Sequence, residues 1–409
     1  MKIWLKLCIG AALGVIIGLL IPTGSVKAIE AVSFIASLAL RLGRSLAAPL
    51  IFFSLAIAVY QLHEDKAAAK VHALSAGLSL AFTAGMCVFG VLSILVVSPD
   101  RIPILADTQV ESAAFDPAAF FRGLFPDSVA SVFLSPDFLY PAFILALFIG
   151  LALQAERVNA KPALSLFDSL SRVFYHLNSY VVEFLAIIAV ALAADSVLGL
   201  RSVPDLSIYG GLLALALADA AIVALGAVPL ALYFACGKRN PYKWLYALAA
   251  PALAGLLSGD ATFCMGPLMK HAKESLGVRR RVNAVSVPMG LIIGRAGTSM
   301  VASIAFVVIL RSYSSLGISF LQVLWVIGAS LLLSLTLGSA PGSGALSAVI
   351  NLCALFGRGF ESGYLIVKPV IVPIIAIGVS LDVIVAGAVS LIAGKATGLQ
   401  EDKEARFFI

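Results

Sequence analysis

Apolar stretches of helix length, separated by short polar or charged segments, follow one another through most of this chain. About twenty apolar residues cross a bilayer as a helix. On that basis the first crossing falls at about Trp4–Ile21, and the second, a long one carrying Arg41 and Arg44, at about Ala31–Gln61. A third covers about Leu74–Val97. After a polar, proline- and acid-containing loop at Asp100–Asp127, a fourth enters through Ser135-Pro136 and Tyr140-Pro141 and ends at Leu153. The fifth and sixth cover about Ala163–Leu200 and Ile208–Cys236, the seventh about Val285–Leu310, and the eighth about Tyr364–Ala393.

Two further apolar segments are broken in the middle and too short to cross twice. Pro241–Ser275 breaks at Ser258-Gly259-Asp260, just before Thr262. Phe320–Phe356 breaks at Gly338-Ser339-Ala340-Pro341-Gly342-Ser343-Gly344. The seventh crossing is itself interrupted, at Gly294-Arg295-Ala296-Gly297-Thr298. Polar, flexible backbone at membrane depth survives only where it is buried in protein or lines a cavity. Broken helices of this kind are the usual material of solute sites in secondary transporters.

Composition agrees: 61% of the 409 residues are hydrophobic and 12% charged, with a mean hydropathy of +1.05. A soluble domain is about 45–50% apolar and about 25% charged. The chain therefore reads as an all-α polytopic membrane protein. The net charge of +6 bears on topology rather than on nucleic acid, which is not an expected partner. The five cysteines, in or beside apolar segments and without metal-ligand spacing, read as small core residues. Lys2 and Lys6 before an apolar run resemble a signal peptide, but Pro22-Thr23-Gly24 makes a poor cleavage site, so the run is expected to be retained.

The basic residues fix an orientation with both termini in the cytoplasm. Inner segments hold Lys2 and Lys6, Lys66 and Lys70, Arg157 and Lys161, Lys238 to Lys243, Lys270 to Arg281, and Lys395 to Arg406. Outer segments hold only Lys27, Arg101, Arg122, Arg201, Arg311 and Arg358. This asymmetry obeys the positive-inside rule only if both hairpins are re-entrant. Residues 237–304 and 318–393 then repeat one plan, a broken hairpin followed by a polar-bearing crossing, in opposite orientations. Such an inverted repeat points to a site at the midplane.

The residues that carry a family resemblance lie along almost the whole chain, from Leu5 to about Gly398. They are Ala47-Ala48-Pro49-Leu50-Ile51-Phe52 in the second crossing, Ala272-Lys273-Glu274 with Leu276-Gly277-Val278, Pro288-Met289-Gly290 followed by Gly297-Thr298, and Gly338-Ser339-Ala340 with Pro341-Gly342-Ser343-Gly344. In this order they resemble the glutamate/aspartate transporters, the dicarboxylate/amino acid:cation symporter family. The resemblance implies eight transmembrane helices with two opposed re-entrant hairpins. It implies a trimerisation scaffold over about 4–61 and 117–200, and a transport subdomain over about 70–98 and 206–395 that moves as an elevator. A homotrimer in the plasma (inner) membrane, in contact with lipid, is expected.

The chain departs from the family at its ligands. The family's serine-rich first tip becomes Gly259-Asp260-Ala261-Thr262, and its Asn-Met-Asp-Gly-Thr becomes Gly294-Arg295-Ala296-Gly297-Thr298. In the eighth crossing Ile377, Ser380, Ile384 and Ala388 replace the family's substrate-binding Asp and Arg and its sodium-binding Asn and Asp. A hard cation wants several oxygen ligands, carboxylates included. The usual sodium sites are thus degraded, protons or no ion are favoured for coupling, and no cofactor is expected. Carbonyls near Gly294 and Gly338 leave room for one cation.

A charge at mid-bilayer costs about 2.5–3.5 kcal/mol and should face protein or water. Arg295 reads either as the reader of an anionic or zwitterionic substrate or as the partner of Asp260 in a structural ion pair. Asp260 reads as a proton carrier or as a helix cap. Asp219, Glu183 and Asp382 read as partners of Arg41, Arg44, Arg172 or Lys368, or as protonation sites. The expected substrate cup holds Ser258, Gly259, Asp260, Thr262, Arg295, Gly297, Thr298, Ser339, Gly342, Ser343, Gly344 and Ser380, with Asp260, Gly294 and Asp382 for ion or proton coupling. An enzyme is not expected. Ser343 lacks a Gly-x-Ser-x-Gly setting, and there is no nucleotide fingerprint or cysteine/histidine metal cluster. The function expected is a secondary transporter of a carboxylate, dicarboxylate or amino acid. The alternatives are a sodium-coupled glutamate/aspartate or neutral amino acid symporter with unusual ligands, an uncoupled anion channel, or a transport-inactive relative.

Overall fold

The computed structural model describes residues 2–103, 116–125, 128–134, 139–156, 159–237, 239–314, 317–340, 342–357 and 359–409, apart from the side chains of Leu134 and Ser339. The Ser135-Pro136 entry, much of the 100–127 loop, Pro341 and the basic residues Arg157, Lys238 and Arg358 lie outside the described residues.

Every element named in the described residues is helical. Helix α1 (Ile3–Leu20) is followed by α2 (Val26–Ser45) and α3 (Ala47–Glu64), which run through a step at Leu46 as one apolar stretch. Next come α4 (Ala68–Val97), the short α5 (Pro117–Leu124) and α6 (Ser131–Leu134), and α7 (Tyr140–Ala155). Helices α8 (Lys161–Glu183) and α9 (Leu185–Arg201) meet at a 56° bend. Helix α10 (Gly210–Ile222) passes through a π-helical turn at Val223–Ala227 into α11 (Val228–Ala235).

The first broken hairpin is α12 (Tyr242–Ala247) with α13 (Ala249–Ser258), then α14 (Ala261–Glu274). Helix α15 (Arg280–Pro288), a π-helical turn at Met289–Ile293 and α16 (Ala296–Tyr313) follow. The second hairpin is α17 (Phe320–Ser334), a 3-10 turn at Leu337–Ser339, and α18 (Gly344–Phe356). Helix α19 (Ile371–Ala396) closes the series.

Six of these helical stretches, or seven with the bent pair, are long and apolar enough to cross a membrane among the described residues. The fourth crossing expected from the sequence corresponds to α7, whose 16 residues fall short of that length. The seventh begins earlier than expected, at Arg280. Its first-turn arginines are paired, Arg280 with Asp168 at 3.1 Å and Arg281 with Asp65 at 2.6 Å, so their charge does not end the helix.

Burial orders the helices. The apolar window of α15–α16 is 94% buried and that of α19 is 78% buried, against 28% in α1 and 33% in α4. Helices α16 and α19 therefore form the centre, flanked by α4, α13 and α15. At the rim, α1 lies along α9 through Gly10, Gly14 and Gly18, where a Cβ would strike the carbonyls of Ala186, Val190 and Ala194. Small residues at four-residue spacing let helix backbones approach closely in lipid.

The chain beyond α19 folds back as a strap over the end of the first hairpin. Arg279 N–H donates to Leu399 O and Glu401 N–H to Gly277 O, both at 2.9 Å. Phe408 is buried beside Tyr246 of α12.

Candidate functional site

Two sequence features break the α15–α16 crossing. Pro288 has no N–H to give to the preceding turn, and the Met289–Ile293 segment takes a π-helical form that closes with Gly294 N–H on Met289 O at 3.1 Å. Gly294 packs against Ser79 of α4, leaving no room for a side chain. Helix α16 then starts at Arg295, whose side chain does not cap it.

The cap comes from α19 instead. Asp382 accepts from Thr298 N–H at 3.0 Å, from the Thr298 hydroxyl, and from Arg295 Nε at 3.2 Å. A carboxylate is favoured at a helix N-terminus, where N–H groups point at it. All three residues are fully buried. Arg295 is thus paired with Asp382, and the pair with Asp260, one of the two readings of Arg295 from the sequence, is absent among the described residues. Asp382 in turn partners Arg295 rather than any of the four basic residues weighed for it.

The tip of the second hairpin closes over this group. Arg295 Nη1 donates to Leu337 O and Ala340 O, each at 3.2 Å. A Cβ on Gly344 would strike the guanidinium. Tyr140 of α7 hydrogen-bonds through its hydroxyl to Ile292 O, just before the break, and to Leu335 O in the tip. The Ser339 hydroxyl lies outside the described residues, and Ser343 is exposed without capping α18.

At the first tip, Gly259 adopts φ +60°, a left-handed turn that reverses the chain after α13. Asp260 then caps α14, Oδ1 accepting from Phe263 N–H at 2.9 Å. Its other oxygen is ion-paired with Arg44 of α2. A Cβ on Gly342 would lie 3.2 Å from Asp260 Oδ2 and would strike Arg44. The second tip therefore runs between two ion pairs, Gly342 against Arg44–Asp260 and Gly344 against Arg295–Asp382. Ser258, Gly259 and Gly342 also border a cavity of about 190 Å³ shared with Asp195 and Ser196 of α9.

The remaining predicted residues are placed differently. Ser380 donates to Ala252 O at 3.0 Å and is taken up by α13–α19 packing. Gly297 packs against α19 at Gly378 and Leu381, and Thr262 is buried in the first turn of α14. Glu183 pairs loosely with Lys270 at 3.7 Å, and Asp219 is hydrogen-bonded by Ser93. The hydroxyls of Ser75, Ser79 and Ser299 are buried without a partner among the described residues. Tyr140 was visible to sequence reasoning only as the neighbour of Pro141. Nothing in its local pattern marks a contact with two segments more than 150 positions away.

Known proteins share parts of this chain. It is 22% identical over 213 residues to neutral amino acid transporter B(0) of Rattus norvegicus, covering 52% of this chain and 38% of that protein. It is 26% identical over 238 residues to the C4-dicarboxylate transport protein of Geobacter sp. (strain M21), covering 58% and 52%. A C4-dicarboxylate transport protein of Cupriavidus pinatubonensis (strain JMP 134 / LMG 1197) is 26% identical over 239 residues, covering 58% and 53%. The match thus spans about half or less of each relative's length. Over residues 3–395 the chain matches the sodium:dicarboxylate symporter family, and it belongs to that family, whose members are transporters rather than enzymes.

Proposed function

We propose that this protein is a secondary transporter that carries a small carboxylate across the plasma (inner) membrane by an elevator movement. In this reading α7 and the bent α8–α9 pair complete eight crossings, both hairpins are re-entrant, and both termini are cytoplasmic. Residues 4–61 and 117–200 form the scaffold of a homotrimer, and 70–98 with 206–395 the moving part. The relatives named for neutral amino acids and for C4-dicarboxylates bracket the substrate class. The absence of a carboxylate at Ile377 favours an anion without an α-amino group.

The observation that carries the reading is the second tip lodged between two ion pairs. On Arg295 the Leu337 and Ala340 carbonyls occupy acceptor positions that a ligand carboxylate would take. When the tip lifts, the guanidinium fork is available to a planar anion, and the first turn of α18 adds backbone donors. Asp382 stays behind to hold Arg295 and α16 in place. Coupling to protons, or to no ion, follows from the apolar side chains at 296, 384 and 388.

The test is binding of succinate and aspartate to purified protein, read as a thermal shift. Arg295→Lys, which loses the fork, is expected to weaken binding strongly. Arg295→Met combined with Asp382→Leu, which leaves no buried charge, is expected to abolish it. Unchanged affinity in the double variant would show that Arg295 only holds the tip, and the site would then be sought at the cavity beside Ser258.

A further inference from the structure

Helix α10 turns a stripe of Leu212, Leu215, Ala216 and Asp219 towards the centre of the molecule. Asp219 is 2% exposed, and burying a carboxylate in such a place demands a partner. Among the described residues its partner is a single neutral hydroxyl, Ser93 of α4. The same hydroxyl reaches the carbonyl of Gly90 at 3.0 Å. Ser93 has one hydrogen to give, and while Asp219 is ionised that bond is the carboxylate's whole compensation among the described residues. The Gly90 carbonyl inside α4 keeps its helical N–H either way. If Asp219 carries a proton, every group is satisfied: the acid donates to Ser93 Oγ, and Ser93 donates to Gly90 O.

The groups around it give no counterion. Helix α10 packs against α4, α16, α19 and the Leu206–Tyr209 turn, and the titratable groups these elements carry include Tyr209, Cys87, Arg311, Tyr313 and Asp382. Lys70, His72 and Lys395 lie towards the other ends of α4 and α19. None of them forms an ion pair or hydrogen bond with Asp219 among the described residues. Gly90 also touches α16: a Cβ there would lie 2.8 Å from Met300 Cγ and 3.2 Å from Met300 O, two residues beyond Thr298. The hydroxyl relay therefore abuts the helix that Asp382 caps.

We propose that Asp219 with Ser93 is an intramembrane proton-binding site, and that it carries the co-transported proton. The proton adds to Asp219 Oδ2 and the hydroxyl hydrogen of Ser93 swings from the carboxylate to Gly90 O. Release reverses both movements. The proposal deepens the transporter reading and rests on it for the second half of its test.

The first half needs no substrate. In lipid-reconstituted protein, infrared difference spectra on acidification are expected to show a carboxylic acid C=O band that Asp219→Asn removes. Ser93→Ala should shift its frequency, because the acid loses its hydroxyl acceptor. Asn can still donate to Ser93, so Asp219→Asn keeps the helix contact and mimics the protonated state. Identical spectra in wild type and Asp219→Asn overturn the proposal.

In proteoliposomes, Asp219→Asn is expected to retain exchange of labelled succinate or aspartate and lose accumulation driven by a proton gradient. Gradient-driven accumulation that survives Asp219→Asn also overturns it. If wild type moves neither compound but shows the band, proton binding stands and the transporter reading is what fails.

Discussion

The carboxylate of Asp382 lies 3.2 Å from the guanidinium nitrogen Nε of Arg295, and neither side chain is exposed. The pair joins α19 to the break before α16, and Arg295 in turn holds the tip of the second hairpin.

Removing one partner leaves the other charge buried and alone, which costs about 3–5 kcal/mol. Arg295→Met and Asp382→Leu should each lower the melting temperature strongly. The double variant should recover most of the loss. Asp382→Asn can still accept from Thr298 and should be milder than Asp382→Leu. Additive losses in a double-mutant cycle would mean that the two side chains do not act as a pair.

Gly342 and Gly344 face the two ion pairs and should respond unequally to a methyl group. At Gly342 the added Cβ meets the far end of Arg44, a partly exposed side chain able to move. At Gly344 it meets the buried Arg295 guanidinium, fixed by bonds to Asp382, Leu337 and Ala340. Gly344→Ala is therefore expected to cost about 1–3 kcal/mol and to speed hydrogen exchange in the first turn of α18. Gly342→Ala should change either quantity much less.

Which parts were legible follows from the kind of signal each carries. The helices and the three breaks were visible because apolar length and glycine-rich interruptions are local. The pairing of charges was not. Arg295 and Asp260 are each at a tip or break, yet their partners, Asp382 and Arg44, come from segments 87 and 216 positions away. Sequence spacing says that such charges need partners but not which ones. Ser380 was assigned to the cup by its position in the family pattern, and close packing of α13 on α19 takes its hydroxyl instead. The strap went unseen because Leu399, Gln400, Glu401 and Lys403 bond to backbone groups between Glu274 and Arg279, partners that no side-chain pattern announces.

Gly43 of α2 faces Phe263 of α14 so closely that a Cβ there would strike the ring. Gly43→Cys with Phe263→Cys, in a background without the native cysteines, should form a disulfide on oxidation and stop transport until reduced. A cross-linked protein with undiminished uptake would contradict an elevator in which α14 slides past α2.

Sodium dependence is expected to be weak. Ala296, Ile384 and Ala388 are buried apolar side chains where the family resemblance places oxygen ligands. Beside Gly294, Ser79 offers a neutral, unpartnered hydroxyl rather than a carboxylate. Replacing sodium by choline in proteoliposome uptake should change the affinity little. A sodium titration with a Hill coefficient well above one would refute this.

The strap makes the last prediction. Besides its two backbone bonds, Gln400 Nε2 donates to Leu276 O at 2.9 Å, Lys403 Nζ to Glu274 O at 2.8 Å, and Ile409 N–H to the Ser275 hydroxyl at 3.3 Å. Asp402 pairs with Arg239, and Lys2 donates to Ala405 O at 3.0 Å, so the strap ties α1 and the α11–α12 connection to the end of the first hairpin. Gly277, at φ +71°, lies so close to Glu401 O that only glycine fits beneath the strap. Truncation after Leu399 should expose the 274–279 turn, seen as faster hydrogen exchange at Gly277 and Val278 and as new proteolysis there. Exchange at the tip, around Asp260, should not change, because Arg44 and the Phe263 N–H hold it independently. If loosening spreads to Asp260, α14 answers to the strap as a rigid lever, and the strap bears on the first tip as well as on the hairpin's end.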